Sequence, residues 1–103
     1  IEAMKIANHN NYTIHKGWFT DTVPIHSDRP IAILRLDGDW YDSIYTCLRH
    51  LYPRVMAGGI IILDDYYTWD GCAKAVHDYL SELKSPSRVC QWNNSIAFIQ
   101  KKL

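Results

Sequence analysis

Two stretches decide how this chain folds: IAILRLDGDWYDS, from Ile31 to Ser43, and GGIIILDD, from Gly58 to Asp65. Each is a short apolar run that opens after a breaker and closes on acids. Pro30 precedes the first run and Asp37 ends it; Gly58-Gly59 precedes the second and Asp64-Asp65 ends it. Short runs of this kind fit strands buried on both faces, the mark of a parallel sheet. The glycine pair reads as the reversal through which the chain re-enters the sheet at Ile60.

Between the two runs, Ile44, Tyr45, Leu48, Leu51, Tyr52 and Val55 recur at the spacing of an amphipathic helix. Asp42 or Ser43 is placed to cap it, and Pro53 ends or kinks it. Strand, helix and strand make a right-handed βαβ unit whose two strands are parallel neighbours. Farther out, a helix is predicted from about Asp70 to Lys84, with Trp69, Cys72, Ala73, Val76, Leu80 and Leu83 on one face and Ser85-Pro86 as its stop. Arg88 to Trp92 and Ser95 to Gln100 form a hairpin around Asn93-Asn94, because asparagine tolerates the positive φ of a tight turn. Towards the N-terminus, Tyr12 to Phe19 reads as a strand interrupted by Gly17, Thr20 to Pro30 as loop, and Ile1 to Asn8 as the last turns of a helix. The fold class is α/β: parallel strands with flanking helices, then an antiparallel hairpin.

Composition narrows the function. A chain of 103 residues is a single domain, and 48% hydrophobic residues suit a packed core. Lys+Arg and Asp+Glu both number 11, so no global field draws in nucleic acid or a membrane surface. Binding rests on a local site. The three cysteines are odd in number and form no CxxC, which points to free thiols in a reducing, cytoplasmic setting. No signal peptide or spanning segment is visible, so Asn11-Tyr12-Thr13 and Asn93-Asn94-Ser95 read as accidental sequons.

The chemistry gathers where the strands end. Asp37 and Asp39 follow the first strand; Asp64 and Asp65 follow the second. Ligands of open α/β sheets sit at the carboxyl ends of the strands, so neighbouring strands bring these acids together. Four crowded carboxylates repel unless protonated or neutralised by a cation, and an all-oxygen set selects a hard ion such as magnesium. Helix capping accounts for one aspartate at a strand end, but not for two pairs. Trp40, Tyr41, Tyr66, Tyr67 and Trp69 flank the acids and offer walls for a ring-shaped ligand, some of them also packing the loops. His9, His15, His26, His50 and His77 are scattered and read as surface or packing residues.

KGWFTDTVP (Lys16 to Pro24), LRLDGDWYDS (Leu34 to Ser43), LYPRVMAGG (Leu51 to Gly59), IILDDYYTWDGC (Ile61 to Cys72) and AVHDYL (Ala75 to Leu80) together resemble the macrocin O-methyltransferase family. That resemblance implies a class I, Rossmann-like methyltransferase sheet, S-adenosylmethionine as methyl donor, and a magnesium ion on the substrate's hydroxyls. The family's metal aspartates fall on Asp37, Asp64 and Asp65, with Asp37 and Asp39 as catalytic acids and Asp39 as the general base. Trp40, Tyr41, Tyr66 and Trp69 are the expected contacts to a small hydroxylated acceptor, a sugar of a natural product or a similar diol.

The chain departs from the family in one respect. No D/E-x-G-x-G word for the cofactor occurs, so residues 1–103 resemble the C-terminal portion of such a domain, inactive by itself, and no residue is assigned to the cofactor. Two other functions compete. LDGDWYDS resembles the nucleophile motif of haloacid-dehalogenase-type phosphatases, although Trp40 stands where Gly-Thr is needed. A non-catalytic remnant or interaction module is the other. An apolar Ile31–Leu36 strand with an unpaired edge is expected either to take the Tyr12–Phe19 strand beside it or to drive self-association into a homo-oligomer.

Overall fold

The computed structural model describes residues 12–25, 28–84 and 87–102. The helix expected over Ile1 to Asn8 lies outside them, as do His9, His26 and Ser85-Pro86. Along the chain run α1 (Phe19–Thr22), β1 (Ile31–Leu36), α2 (Tyr41–Leu51), a 3-10 turn (Tyr52–Arg54), β2 (Val55–Leu63), α3 (Asp70–Glu82), β3 (Val89–Gln91) and β4 (Ala97–Gln100). The strands form one sheet in the order β1-β2-β4-β3. β1 and β2 are parallel, and β4 runs antiparallel to both β2 and β3.

Side chains alternate across a strand, and here the alternation divides the sheet sharply. Leu34, Leu36, Ile61, Leu63, Ala97 and Ile99 are buried on one face. They share one core with Ile44, Cys47 and Leu48 of α2 and with Cys72, Ala75, Val76, Tyr79 and Leu80 of α3. Each such leucine or isoleucine contributes about 1.5–3 kcal/mol on burial. Among the described residues nothing packs on the other face: Ile33 is 63% exposed, and Ile60, Ile62, Trp92, Ile96 and Phe98 line an apolar hollow of about 260 Å³. The expectation that Ile31 to Leu36 is buried on both faces is therefore corrected. Both long helices pack on the same side.

Three local expectations also change. Tyr12 to Phe19 forms no strand. Gly17 takes φ 142°, and the Trp18 carbonyl then accepts the Asp21 and Thr22 amides, both at 3.0 Å, so the chain enters α1 at Phe19 while Tyr12 to Lys16 has no regular structure. Gly58-Gly59 does not reverse the chain but lies within β2, where the pairing with β1 jumps from Ile31↔Val55 to Ile33↔Ile60. Gly58 has φ 82°, and a Cβ on Gly59 would stand 2.9 Å from the Ala32 carbonyl oxygen and 2.8 Å from that of Met56. Finally, α2 starts at Tyr41 with Trp40 at its N-cap and no side-chain cap from Asp42 or Ser43. The buried face of α3 is turned towards Ala75 and Tyr79, leaving Trp69 47% exposed.

Tyrosines fasten α2 to α3. Tyr41 donates to Asp78 at 2.8 Å, Tyr45 donates to Glu82, and Tyr79 meets Tyr52 edge-on with centroids 5.4 Å apart. The cysteines are free, and burial pushes the thiols of Cys47 and Cys72 up to about 11. Cys90 is partly exposed. Under native conditions at about pH 8 a disulfide reagent is expected to titrate Cys90 alone, with Cys47 and Cys72 reacting only after denaturant is added. Rapid reaction of all three would show that the α2–α3 layer is not closed.

Candidate active site

The parallel pairing places the acids. Leu36 pairs with Leu63, and the Asp64 amide donates to the Leu36 carbonyl at 3.1 Å, so β1 and β2 finish level. Asp37 and Asp64-Asp65 thus leave the sheet side by side at its carboxyl edge. Arg35 projects from β1 to the same place: its guanidinium is 3.6 Å from the Asp37 carboxylate and pairs with that of Asp64. Burial, then a hydrogen bond shared with Asp37, then the charges of Asp37, Asp39 and Asp64 hold the Asp65 carboxyl above its usual range. The charges of Asp37, Asp39 and Asp64 thus all act on Asp65.

The cluster is short of positive charge and of donors. Asp65 Oδ2 is buried and accepts no hydrogen bond, whereas Asp64 Oδ2 is met by the Arg35 guanidinium in a close ion pair. A buried carboxylate oxygen without a donor is costly and rare in a native fold. An oxygen-only donor set with one orphaned carboxylate oxygen suits a hard divalent cation. Among the described residues, no three acidic, histidine or cysteine side chains stand ready-posed around an ion.

Two glycines set the height of the turn that carries Asp39. A Cβ on Gly38 would lie 3.1 Å from Ile44 Cδ1 and 3.4 Å from Phe19 Cε2, so this turn rests directly on the core. A Cβ on Gly71 would come within 3.0 Å of the Tyr41 amide nitrogen and 3.3 Å of the Asp39 carbonyl oxygen. The first turn of α3 therefore buttresses the Asp39–Tyr41 backbone. Gly71→Val is expected to displace that backbone and lower kcat/KM by about tenfold or more, since small misplacements of reacting groups are expensive. Steady-state kinetics beside a thermal melt check it; unchanged kinetics would show that the contact is slack.

The aromatic residues divide. Trp40 is 70% exposed and Trp69 47%, each at a helix N-cap beside the acids. Tyr41 is engaged elsewhere: it stacks on Tyr45 at 5.7 Å, lies under the Lys74 ammonium and donates to Asp78. The Tyr66 hydroxyl meets His77 Nε2 at 2.5 Å, with its ring edge-on to Tyr67 at 4.9 Å. His77 is thereby brought next to Asp65's neighbour, although its place on a helix gave no hint of it. Arg35 and Gly71 were likewise missed as site residues. Arg35 carried a signal, being the sole charge within an apolar strand; Gly71 carried none.

Comparison with known proteins now bears on the same residues. The profile described as Macrocin-O-methyltransferase (TylF) matches residues 7–101. This chain belongs to the macrocin O-methyltransferase family. Over 63 residues, 61% of the chain, it is 49% identical to the 8-demethyl-8-(2,3-dimethoxy-alpha-L-rhamnosyl)-tetracenomycin-C 4'-O-methyltransferase of Streptomyces olivaceus. Over the same length it is 46% identical to the demethyldecarbamoylnovobiocin O-methyltransferase of Streptomyces niveus and to the mycinamicin III 3''-O-methyltransferase of Micromonospora griseorubida. The matched region spans 24% of each of these relatives. Among solved structures, the O-methyltransferase NovP superposes with a TM-score of 0.78 at 34% identity, covering 84% of this chain and 36% of that one. CalS11, a TDP-rhamnose 3'-O-methyltransferase, superposes with a TM-score of 0.67 at 23% identity, covering 82% and 40%, and so shares the fold. The sheet of this macrocin O-methyltransferase family chain is thus a class I methyltransferase sheet, parallel at β1–β2 and antiparallel at its β4–β3 hairpin. Family membership leaves the phosphatase reading of LDGDWYDS without a supporting observation.

Proposed function

We propose that the protein carrying this chain is a magnesium-dependent O-methyltransferase that uses S-adenosylmethionine to methylate a hydroxyl of a sugar-bearing small molecule. The observation that carries this reading is the convergence of the acids that end β1 and β2 at one sheet edge, with the buried Asp65 Oδ2 lacking a donor. The sugar O-methyltransferases among its relatives support the acceptor class. Family membership implies S-adenosylmethionine as methyl donor. No glycine-rich turn for it stands in the sequence, so the roles below concern the acceptor alone.

Asp37, Asp64 and Asp65 are the residues that would hold magnesium, whose charge lowers the pKa of a bound hydroxyl. Arg35 keeps Asp64 oriented towards the edge by charge pairing. Asp39 accepts the proton as the hydroxyl oxygen becomes nucleophilic. Trp40 and Trp69, exposed at the N-caps of α2 and α3, shield the reacting oxygen from bulk water.

Two further readings accompany this one. Among the described residues no helix is long and apolar enough to cross a membrane, and the free cysteines support a cytoplasmic setting. Among the described residues β1 has a strand neighbour on one side only, which supports self-association through its outer edge. Sedimentation at micromolar concentration tests that contact.

The central test incubates the full-length protein with S-adenosylmethionine and rhamnosyl glycosides, follows methylated product by mass, and repeats the assay in EDTA. Methyl ether formation that stops in EDTA and resumes with magnesium is the expected result. Activity that persists in EDTA would remove the metal, and absence of product from every hydroxylated glycoside would remove the acceptor class.

A further inference from the structure

Two tryptophans from distant segments border one hollow beside Asp39. Trp18 is 75% exposed and Trp40 is 70% exposed, yet both line the same cavity of about 220 Å³ with Gly17, Phe19, Gly38 and Asp39. Ser43 completes the lining. Singly exposed large apolar side chains are ordinary; two that line one hollow together with an aspartate are not. We propose that Trp18 and Trp40 form an indole clamp that holds one sugar ring of the acceptor over Asp39. This rests on the acceptor class proposed above and adds Trp18, together with the segment that carries it, to the binding machinery.

Trp18 is held by its own backbone. Its carbonyl accepts the Asp21 and Thr22 amides and, at 3.1 Å, the Thr22 hydroxyl. Gly17 needs its φ of 142°, and a Cβ there would stand 2.9 Å from Thr22 Cγ2. Phe19 fixes the other end of the turn against Gly38, the residue before Asp39. The indole is thus presented from a preorganised turn docked on the catalytic loop, which lowers the ordering cost of binding.

Size and chemistry select the occupant. Pockets for whole ligands span about 300–1,000 Å³, so this hollow suits a single ring with the remainder of the acceptor outside it. Indole faces take up the C–H surface of a pyranose, while Asp39 and Ser43 can hydrogen-bond its hydroxyls. A plain aromatic ring would stack on the indoles but leave the Asp39 carboxylate without a donor.

The test uses the full-length protein and methyl α-L-rhamnopyranoside as probe, with binding read by saturation-transfer NMR and indole fluorescence. Trp18→Ala is expected to weaken probe binding at least tenfold, Trp18→Phe to restore most of it, and Trp92→Ala, on the open sheet face, to change nothing. Far-UV circular dichroism checks that each variant is folded. Probe binding unchanged in Trp18→Ala, no saturable binding to the parent protein, or preferential binding of catechol would each overturn the clamp. Binding is read without methyl transfer, so loss of the clamp leaves the proposed reaction standing, and an inactive enzyme that still binds the probe through Trp18 leaves the clamp standing.

Discussion

Asp65→Asn is expected to lower kcat/KM for methyl transfer by on the order of 100-fold or more, while the thermal midpoint at neutral pH stays level or rises. The two effects share one cause. Burial, followed by Asp37 and the other two acids, raises the Asp65 carboxyl above its ordinary range. A carboxyl whose folded-state pKa is raised stabilises the fold at low pH, where it is protonated, and loses that contribution as pH rises through the folded value. At neutral pH the asparagine removes a charge the fold tolerates poorly, together with an oxygen that no donor satisfies. Paired kinetics and melts decide it. A midpoint several degrees below the parent would mean that Asp65 is structural and the cluster is not poised for a cation.

Ile44→Ala is expected to cost about 2–5 kcal/mol, the range for emptying a closed aliphatic site. Ile44 is fully buried, and its Cδ1 supports the Gly38 turn. Urea denaturation should show a lower midpoint with an unchanged slope. The lost methyl groups should also let the Asp37–Asp39 turn sink, so kcat falls even where the variant is fully folded. Ile44→Val, which lacks Cδ1 but keeps most of the volume, separates the two effects: a loss of about 1 kcal/mol with a clear fall in kcat is expected. An unchanged kcat in the valine variant would show that the turn holds its place without this support.

Much of this molecule could be read from its residues, and the failures share a physical origin. β1, β2, α2, α3 and the hairpin were legible because apolar runs and helical spacing are local signals. The paired acids were legible because they end strands that must be neighbours, and Asp64 does bond to Leu36 across that pair. Tyr12 to Phe19 misled because β-forming residues were outweighed by Gly17 and by the three bonds closing on the Trp18 carbonyl. The bond from Tyr41 to Asp78, 37 residues away on α3, went unforeseen because no local pattern announces such a contact. The burial of Ile31 to Leu36 was overestimated because hydrophobicity cannot say whether a second layer is present.

The open face of the sheet has a consequence for how the acids keep their alignment. A strand slipped by one residue exchanges its two faces, and normally the loss of burial forbids this. Across Ile60, Ile61 and Ile62 that safeguard is weak, because the same residue stands there whichever way it points. The end of the strand restores it: a slip that carried Asp65 into the berth of Asp64, a shift of about 3.3 Å, would also force Asp64 into the fully buried place of Leu63. The tight passage at Gly59 is a second bar, where the backbone carbonyls of Ala32 and Met56 crowd in on any Cβ. Leu63 and mid-strand Gly59 therefore work as two index pins, setting which aspartate meets Asp37.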